Sequence, residues 1–464
     1  MDIRALHFPP DLPITAHRDE IAEALTKHPV IIVCGDTGSG KTTQLPKIAL
    51  ACGFGKKGRV ACTQPRRLAT LAMARRLAAE LQTEPGGIVG YQHRFEQKIS
   101  SKTVVKFMTD GILLAETRND PLLRTYDCIM IDEAHERSLN IDFLLGLLKR
   151  IVAKRPQLRV IISSATIDAA RFSEFFNDAP VIRVPGRLHP IETRWRPPDE
   201  DDADLPRLIA NALDELPPNG DVLVFLPGER DIREAAEHLT AQRRDCDIIP
   251  LLASLPAAEQ QRAFQTSSRQ RVILATNVAE TSITIPNIHC VIDSGLARIS
   301  RYNTRTRVQR LHIEDISQAS ANQRQGRCGR VGPGICVRLY DETDFAKREA
   351  YTDPEIRRTS LSGVILTLLD LRLGNIVDFP FIDPPATATI RDGLRELHEL
   401  CAIEPIGDAW RLTSLGHKLA RLPVAPSLAR ILFAAHDHGA LRDALIVVAA
   451  NPPSRRSNIL TTSR

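Results

Sequence analysis

The sequence predicts an α/β protein of two parallel-sheet units in tandem, followed by a smaller, mostly helical region. Three observations carry this. Short apolar runs alternate with helix-spaced stretches, the rhythm of βαβ units. The rhythm breaks at one acidic, proline-rich stretch and then resumes. After about Arg338 it gives way to helical patterning with short breaks. At 464 residues the chain is also too long for one ordinary core.

In chain order, "VIIVCG" (30–35), "GRVACT" (58–63), "TVVKFMT" (103–109), "CIMIDE" (128–133) and "RVIISSAT" (159–166) read as buried strands. "RRLATLAMARRLAAEL" (66–81) has helical spacing. This first unit is expected over residues 1–195, and "RPPDEDDADLP" (196–206) reads as a linker. "DVLVFLPG" (221–228), "RVILATN" (271–277) and "CVIDSG" (290–295) read as strands of a second unit, 207–345. "DPEIRRTSLSGVILTLLDLRLG" (353–374) opens the helical region.

Composition is globular, with 43% hydrophobic and 25% charged residues. Aromatics at 5% argue against a surface dominated by stacking. A net charge of +5 neither requires nor excludes nucleic acid, so local arginine clusters must decide. The nine cysteines show no CxxC or Cys/His ligand spacing, which points to reduced, buried thiols rather than a metal site. The N-terminus "MDIRALHFPPDLPITAHRDE" lacks an apolar signal core, and no apolar run approaches membrane-spanning length. A cytoplasmic protein without membrane contact is expected.

"GDTGSGKT" (35–42) fits G-x-x-x-x-G-K-[ST] after a strand and before a helix. Glycines there let backbone N–H groups approach phosphate oxygens, and a helix N-terminus adds positive potential. The candidate cradle is Gly35, Asp36, Thr37, Gly38, Ser39, Gly40 and Thr43, with Lys41 for the β/γ-phosphates and Thr42 for Mg²⁺. A plain glycine-rich turn is the alternative. "IMIDEAHERSLNID" (129–142) ends a strand in adjacent carboxylates, which repel unless a cation lies beside them. Asp132 is the candidate second metal ligand; Glu133, beside the same metal, is the candidate base or water orienter. In "QRQGRCGR" (323–330), Gln323, Arg324, Arg327 and Arg330 recur at fixed offsets. Arginines there could reach a γ-phosphate as arginine fingers do, or form an exposed basic turn.

With "TQPRRLA" (63–69), "MTDG" (108–111), "SAT" (164–166), "VFLPGERDI" (224–232) and "ATNVAETSITI" (275–285), these stretches occur in the order of a known family. From about residue 12 to about 450 the chain resembles a DEAH-box ATP-dependent RNA helicase of superfamily 2. "GRCGRVGPGICVRLY" (326–340) resembles its bacterial HrpA-type branch. The resemblance implies two RecA-like lobes that use ATP and Mg²⁺, a winged-helix domain (346–400) and part of a helical ratchet-like domain (401–464). It assigns Gln323 to the attacking water, Arg327 and Arg330 to the phosphates, and Ser164 and Thr166 to coupling. His135 is expected to couple through a polar contact between lobes rather than to hold metal. Arg76 and Phe264 match positions that sandwich the base, which implies broad NTP use.

For RNA the resemblance implies Arg66, Arg67, Thr109, Asp110 and Gly111 on the first lobe and Thr276, Asn277 and Thr281 on the second. "GLARISRYNTRTRVQRLH" (295–312) suggests a β-hairpin whose Arg305 and Arg307 guide the strand, or a merely solvated charged hairpin. The implied partners are single-stranded RNA or a duplex with a 3′ tail, with ribosomal or other ribonucleoprotein targets open, acted on 3′→5′ by a monomer. After "ALIVVAA" (444–450) the family's usual Asp-Pro-Arg-type segment is replaced by "NPPSRRSNILTTSR" (451–464). The rest of the ratchet and an OB-like domain are therefore expected to be missing, which leaves an exposed apolar face on the first ratchet helices. A DNA helicase and a non-unwinding RNA-binding clamp stay open as alternatives.

Overall fold

The computed structural model describes residues 6–450 apart from 37, 166–168, 187–188, 199–203, 253, 266, 281–284 and 423. The chain divides into two units. One holds the residues up to Pro185, Arg301–Arg310 and those from Pro354 onward; the other holds Gly186–Ser300 and Leu311–Asp353.

The first unit contains β1 (Val30–Gly35), β2 (Arg59–Gln64), β3 (Val89–His93), β4 (Glu96–Lys98), β5 (Val105–Thr109), β6 (Tyr126–Ile131), β7 (Arg159–Ser164) and β8 (Val181–Val184). They form one sheet in the order β4-β3-β5-β2-β6-β7-β1-β8. Every pairing is parallel except the β3–β4 turn-back. The inner strands are apolar on both faces because both are covered. Along β1, Val30, Ile32 and Cys34 enter one core, while Ile31 and Val33 enter the other. Parallel order also brings the carboxyl ends of β1, β2, β5, β6 and β7 to one edge, where ligands bind open α/β sheets.

One of those cores is not made by the first lobe alone. Phe143, Leu144, Leu147 and Ile151 of helix Leu139–Lys154 share it with Ile356, Ile365, Leu366, Phe379 and Phe381 from the C-terminal region. The aromatic rings of Phe143 and Phe379 stack with centroids 4.9 Å apart.

The second unit contains β9 (Ile191–Trp195), β10 (Asp221–Phe225), β11 (Asp247–Leu251), β12 (Arg271–Ala275) and β13 (Ile288–Asp293). A hairpin of β14 (Leu296–Asn303) and β15 (Val308–Asp315) follows, as the sequence suggests, and then β16 (Gly334–Arg338). The sheet order is β11-β12-β10-β13-β16-β9, all parallel. The position of β9 corrects the boundary expected at 195. Ile191 to Trp195 pair with Gly334 to Arg338, so the change of unit falls before them. Trp195 supplies the reason: its ring meets Tyr340, Phe345 and the Arg338 guanidinium. The stretch 196–206 thus lies within the second unit, where helix Leu205–Asp214 begins.

The C-terminal region is helical, with one small antiparallel hairpin, β17 (Ile403–Ile406) and β18 (Ala409–Leu412). On its last helices Ile431, Leu445, Ile446 and Val447 are exposed. All nine cysteines are free. Among the described residues no helix is long and apolar enough to cross a membrane.

Candidate nucleotide site and motif loops

Where β1 ends, Gly35 passes so close to β8 that an added Cβ would lie 2.4 Å from the Val184 carbonyl oxygen. Gly38 and Gly40 both take φ +94°, which a side chain would strain. The loop turns into helix Lys41–Ala51, and Gly40 offers its first turn no side-chain cap. Lys41 folds inward. Its ammonium donates to the carbonyl of Gly35, to Asp36 O at 2.8 Å and to Ser39 Oγ at 3.2 Å. Burial pushes its pKa down, while the charges of Glu133 and Asp132 oppose that shift. A buried cation therefore sits among loop carbonyls, with two carboxylates in electrostatic range. Thr43 Oγ1 stays local, donating to Gly40 O at 3.4 Å. Thr37 lies outside the described residues.

The N-terminal segment supports this loop, which the sequence reading did not foresee. Ile14 is fully buried, donates its N–H to Ser39 O at 3.1 Å and closes over Gly40. The apolar "LPI" that caps and opens the short helix Pro13–Ala16 is the signal that could have found it.

β6 stops at Ile131, so Asp132 and Glu133 stand beyond the strand. Asp132 is buried and accepts from Thr42 Oγ1 at 2.6 Å, Gln64 Nε2 at 2.5 Å and the Glu133 N–H at 3.0 Å. Gln64, the last residue of β2, was not among the predicted site residues. Glu133 (φ 53°) and Arg137 (φ 45°) are left-handed and bracket the single 3₁₀ turn Ala134–Glu136. Such conformations cost about 1–3 kcal/mol each and persist only where the surroundings enforce them. His135 is one enforcer. Its Nδ1 accepts the Ala165 N–H at 3.0 Å, which leaves the ring proton on Nε2, 3.3 Å from Glu133 Oε2. These two contacts of His135 join the end of β7 to Glu133. Ser164 is buried there; Thr166 lies outside the described residues.

The residues fit a phosphate with a hard cation. Thr42 Oγ1 and the Asp132 carboxylate are adjacent oxygen donors beside Lys41. The Glu133 carboxylate lies beside them, with Oε2 3.3 Å from His135 Nε2.

The remaining predicted residues divide. Arg76 is exposed and pairs with Glu80 at 2.9 Å, which also takes Lys47 and Gln44. Phe264 is half-buried against the core of the second unit. Arg66 pairs with Glu136 at 3.5 Å, and the Arg67 guanidinium lies 5.1 Å from the Phe95 ring centre. Thr109 and Gly111 are half-buried where β5 meets helix Asp110–Glu116. Asp110 between them is only 3% exposed, and burial pushes its pKa up to about 7, with Glu136 and Asp132 adding to the shift. Its side chain is enclosed, which leaves the main chain of this turn as the part that could meet a phosphate.

In the second unit, β12 ends at Ala275, two residues short of the strand read over 271–277, so Thr276 and Asn277 follow it; Thr281 lies outside the described residues. Glu280 is a hub the sequence reading missed. Its carboxylate accepts from Ser320 Oγ at 2.5 Å and Arg324 Nε at 3.1 Å, and its carbonyl from Arg327 Nε at 2.9 Å. Arg324 is fully buried, donates to Asp293 at 2.7 Å and lies over Phe225. It braces the lobe instead of reaching for phosphate. Arg327 is buried against Glu280, while Arg330 and Gln323 are half-buried.

The hairpin tip is engaged too. Tyr302 donates to Asp392 at 2.5 Å, and Arg307 pairs with Glu399 at 2.7 Å and Asp392 at 3.4 Å. Arg307 is thus paired with helix Thr387–Glu399 while remaining exposed, and Arg305 is exposed as well.

Two family signatures cover most of this framework: DEAD/DEAH box helicase over residues 15–175 and helicase conserved C-terminal domain over 204–332. The chain belongs to the DEAD/DEAH-box helicases. Among relatives of this helicase family, it is 54% identical over 452 residues to the ATP-dependent RNA helicase HrpA of Escherichia coli (strain K12). It is 53% identical to the HrpA homolog of Haemophilus influenzae, also over 452 residues. Each match takes in 96% of this chain and 35% of the relative, so the chain spans about a third of their length. The crystal structure of the Escherichia coli DEAH/RHA helicase HrpB superposes with a TM-score of 0.86 at 33% identity, covering 96% of this chain and 57% of that one.

Proposed function

We propose that this helicase-family chain is an RNA-stimulated NTPase that moves along or unwinds RNA. The observation that carries the reading is the hydrogen-bonded triad of half-buried Thr42 with buried Asp132 and Gln64 beside Lys41, with Glu133 turned to His135. Lys41 and the loop N–H groups would hold the triphosphate of ATP or another NTP, and Thr42 with Asp132 would hold Mg²⁺. When bound, that pair supplies an electrophilic γ-phosphoryl group. Glu133 orients the water and accepts its proton, while His135 fixes the carboxylate through Nε2–H. Gln323, Arg327 and Arg330 are assigned to the water and phosphates, and Arg76 and Phe264 to the base, on the family resemblance. Ser164 and Thr166 are assigned to coupling on the same ground.

For the strand, Arg66, Arg67 and the main chain of Thr109–Gly111, with Thr276, Asn277 and Thr281 and the exposed Arg305, are the proposed contacts. Backbone-gripping arginines make binding tolerant of sequence and sensitive to salt. The proposed substrate is single-stranded RNA or a 3′-tailed duplex, translocated 3′→5′ by a monomer in the cytoplasm, free or within ribosomes and other ribonucleoprotein. The test is ATP turnover alone, with RNA, and with DNA of the same sequence, followed by unwinding of a 3′-tailed duplex. Glu133→Gln should keep nucleotide binding and lower turnover by about 10²–10⁴-fold. Normal turnover in that variant, or stimulation by DNA and not RNA, would overturn the reading.

A further inference from the structure

We propose that Asp383, which follows the second lobe in sequence, is a positioning residue for Glu133 and acts through Arg137. The inference rests on the reading of Glu133 as the water-orienting carboxylate. Its ground is geometric. Glu133 and Arg137 are the two left-handed residues at the ends of one turn, so moving either end reorients the other.

The Glu133 end is fixed by Asp132 and His135. The Arg137 end is fixed largely from elsewhere. Its guanidinium donates to Asp142 Oδ1 at 2.5 Å and Oδ2 at 3.2 Å, and to Asp383 Oδ2 at 2.6 Å. Its carbonyl accepts the Glu355 N–H at 3.1 Å, and the Glu355 carboxylate accepts the Leu139 N–H at 3.1 Å. Only Asp142 belongs to the same stretch of chain; Glu355 and Asp383 come from beyond the second lobe. The turn that carries the proposed catalytic carboxylate is therefore completed by the C-terminal region.

Asp383 is 1% exposed and serves three arginines. Arg137, whose side chain is 6% exposed, takes the inner side. Arg171 and Arg357, at 43% and 49%, take the solvent side. The buried position of the Arg137–Asp383 contact makes its geometry rigid, whereas the outer two pairs are screened by water. This division separates positioning from stability. Losing an outer arginine weakens the cluster but leaves the Arg137 fork in place, whereas Arg137→Lys keeps the charge and loses the fork.

The experiment measures kcat and KM for ATP in the presence of saturating RNA, per mole of nucleotide-binding protein, for the full chain and four variants. Asp383→Asn and Arg137→Lys should each lower kcat by about tenfold or more with KM for ATP little changed, because a small displacement of a reacting group is costly while binding is untouched. Arg171→Gln and Arg357→Gln should stay within about twofold of wild-type kcat even where they lower the thermal midpoint. Wild-type kcat in Asp383→Asn, or equal losses in all four variants, would overturn the proposal. If Asp383→Asn does not fold, Asp383→Glu, which keeps the charge and displaces the carboxylate, decides by the same kcat criterion. A wild-type chain without turnover would instead overturn the NTPase reading itself, so the two failures are distinguishable.

Discussion

Gly146 lies in helix Leu139–Lys154, facing the C-terminal region. A Cβ added there would sit 2.5 Å from Phe379 Cε1 and 2.5 Å from the Pro380 carbonyl oxygen. Ordinary contact begins near 3.4 Å, so Gly146→Ala must force the two segments apart by roughly 1 Å. The substitution gains helix propensity worth about 1 kcal/mol. Against this stands overpacking, which costs about 1–3 kcal/mol and sits at the upper end here because a backbone carbonyl has no rotamer to escape into. The Phe143–Phe379 stack and the Arg150 guanidinium over Phe379 would loosen as well. A net loss of about 2 kcal/mol is expected, equivalent to roughly 30-fold more frequent opening. Native-state hydrogen exchange on the amides of Leu139–Lys154 reads this opening directly. Unchanged or slower exchange in Gly146→Ala would refute the packing argument, since helix propensity alone would then dominate.

The buried carboxyl of Asp110 makes stability depend on pH. Its folded pKa, about 7, is above the ordinary value, so between about pH 4 and 7 the folded state holds a proton the unfolded chain has released; the group's contribution to stability falls as pH rises through that window. Asp110→Asn should therefore raise the urea midpoint relative to wild type at pH 8 more than at pH 5, and an equal effect at both would contradict it. In the second unit, Asp293→Ala removes the best partner of the fully buried Arg324 and should cost about 3–5 kcal/mol. Limited proteolysis should show the 186–353 region cut faster; an unaltered pattern would mean Arg324 is satisfied by Glu280 alone.

The legible parts of this molecule are those whose chemistry is local. Lys41 and Thr42 follow from glycine spacing between a strand and a helix, and Asp132 from carboxylates that end an apolar run. β6 reads two residues too long because no turn residue separates Ile131 from the acids. β9 reads as part of the first lobe because its partner β16 lies about 140 residues away and leaves no local mark. Arg324, in helix Gln318–Gln325, and Arg327, just past its end, share a residue type and a short stretch of chain. Only the tertiary positions of Asp293 and Glu280 tell a brace from a candidate finger. Arg137 and Asp142 carry no motif logic by themselves, and their importance depends on Asp383, far along the chain.

The shared core of helix Leu139–Lys154 and the C-terminal region also sets a clock on synthesis. Phe143 must wait for Phe379 and Phe381 to be translated, after the whole second lobe. At about 5–20 residues per second that interval is roughly 12 to 47 s. For that time an apolar helix face stands uncovered on the ribosome while the following lobe is still being made. A chaperone that binds apolar helical surface has its target there, and the window closes only when the segment around Phe379 emerges.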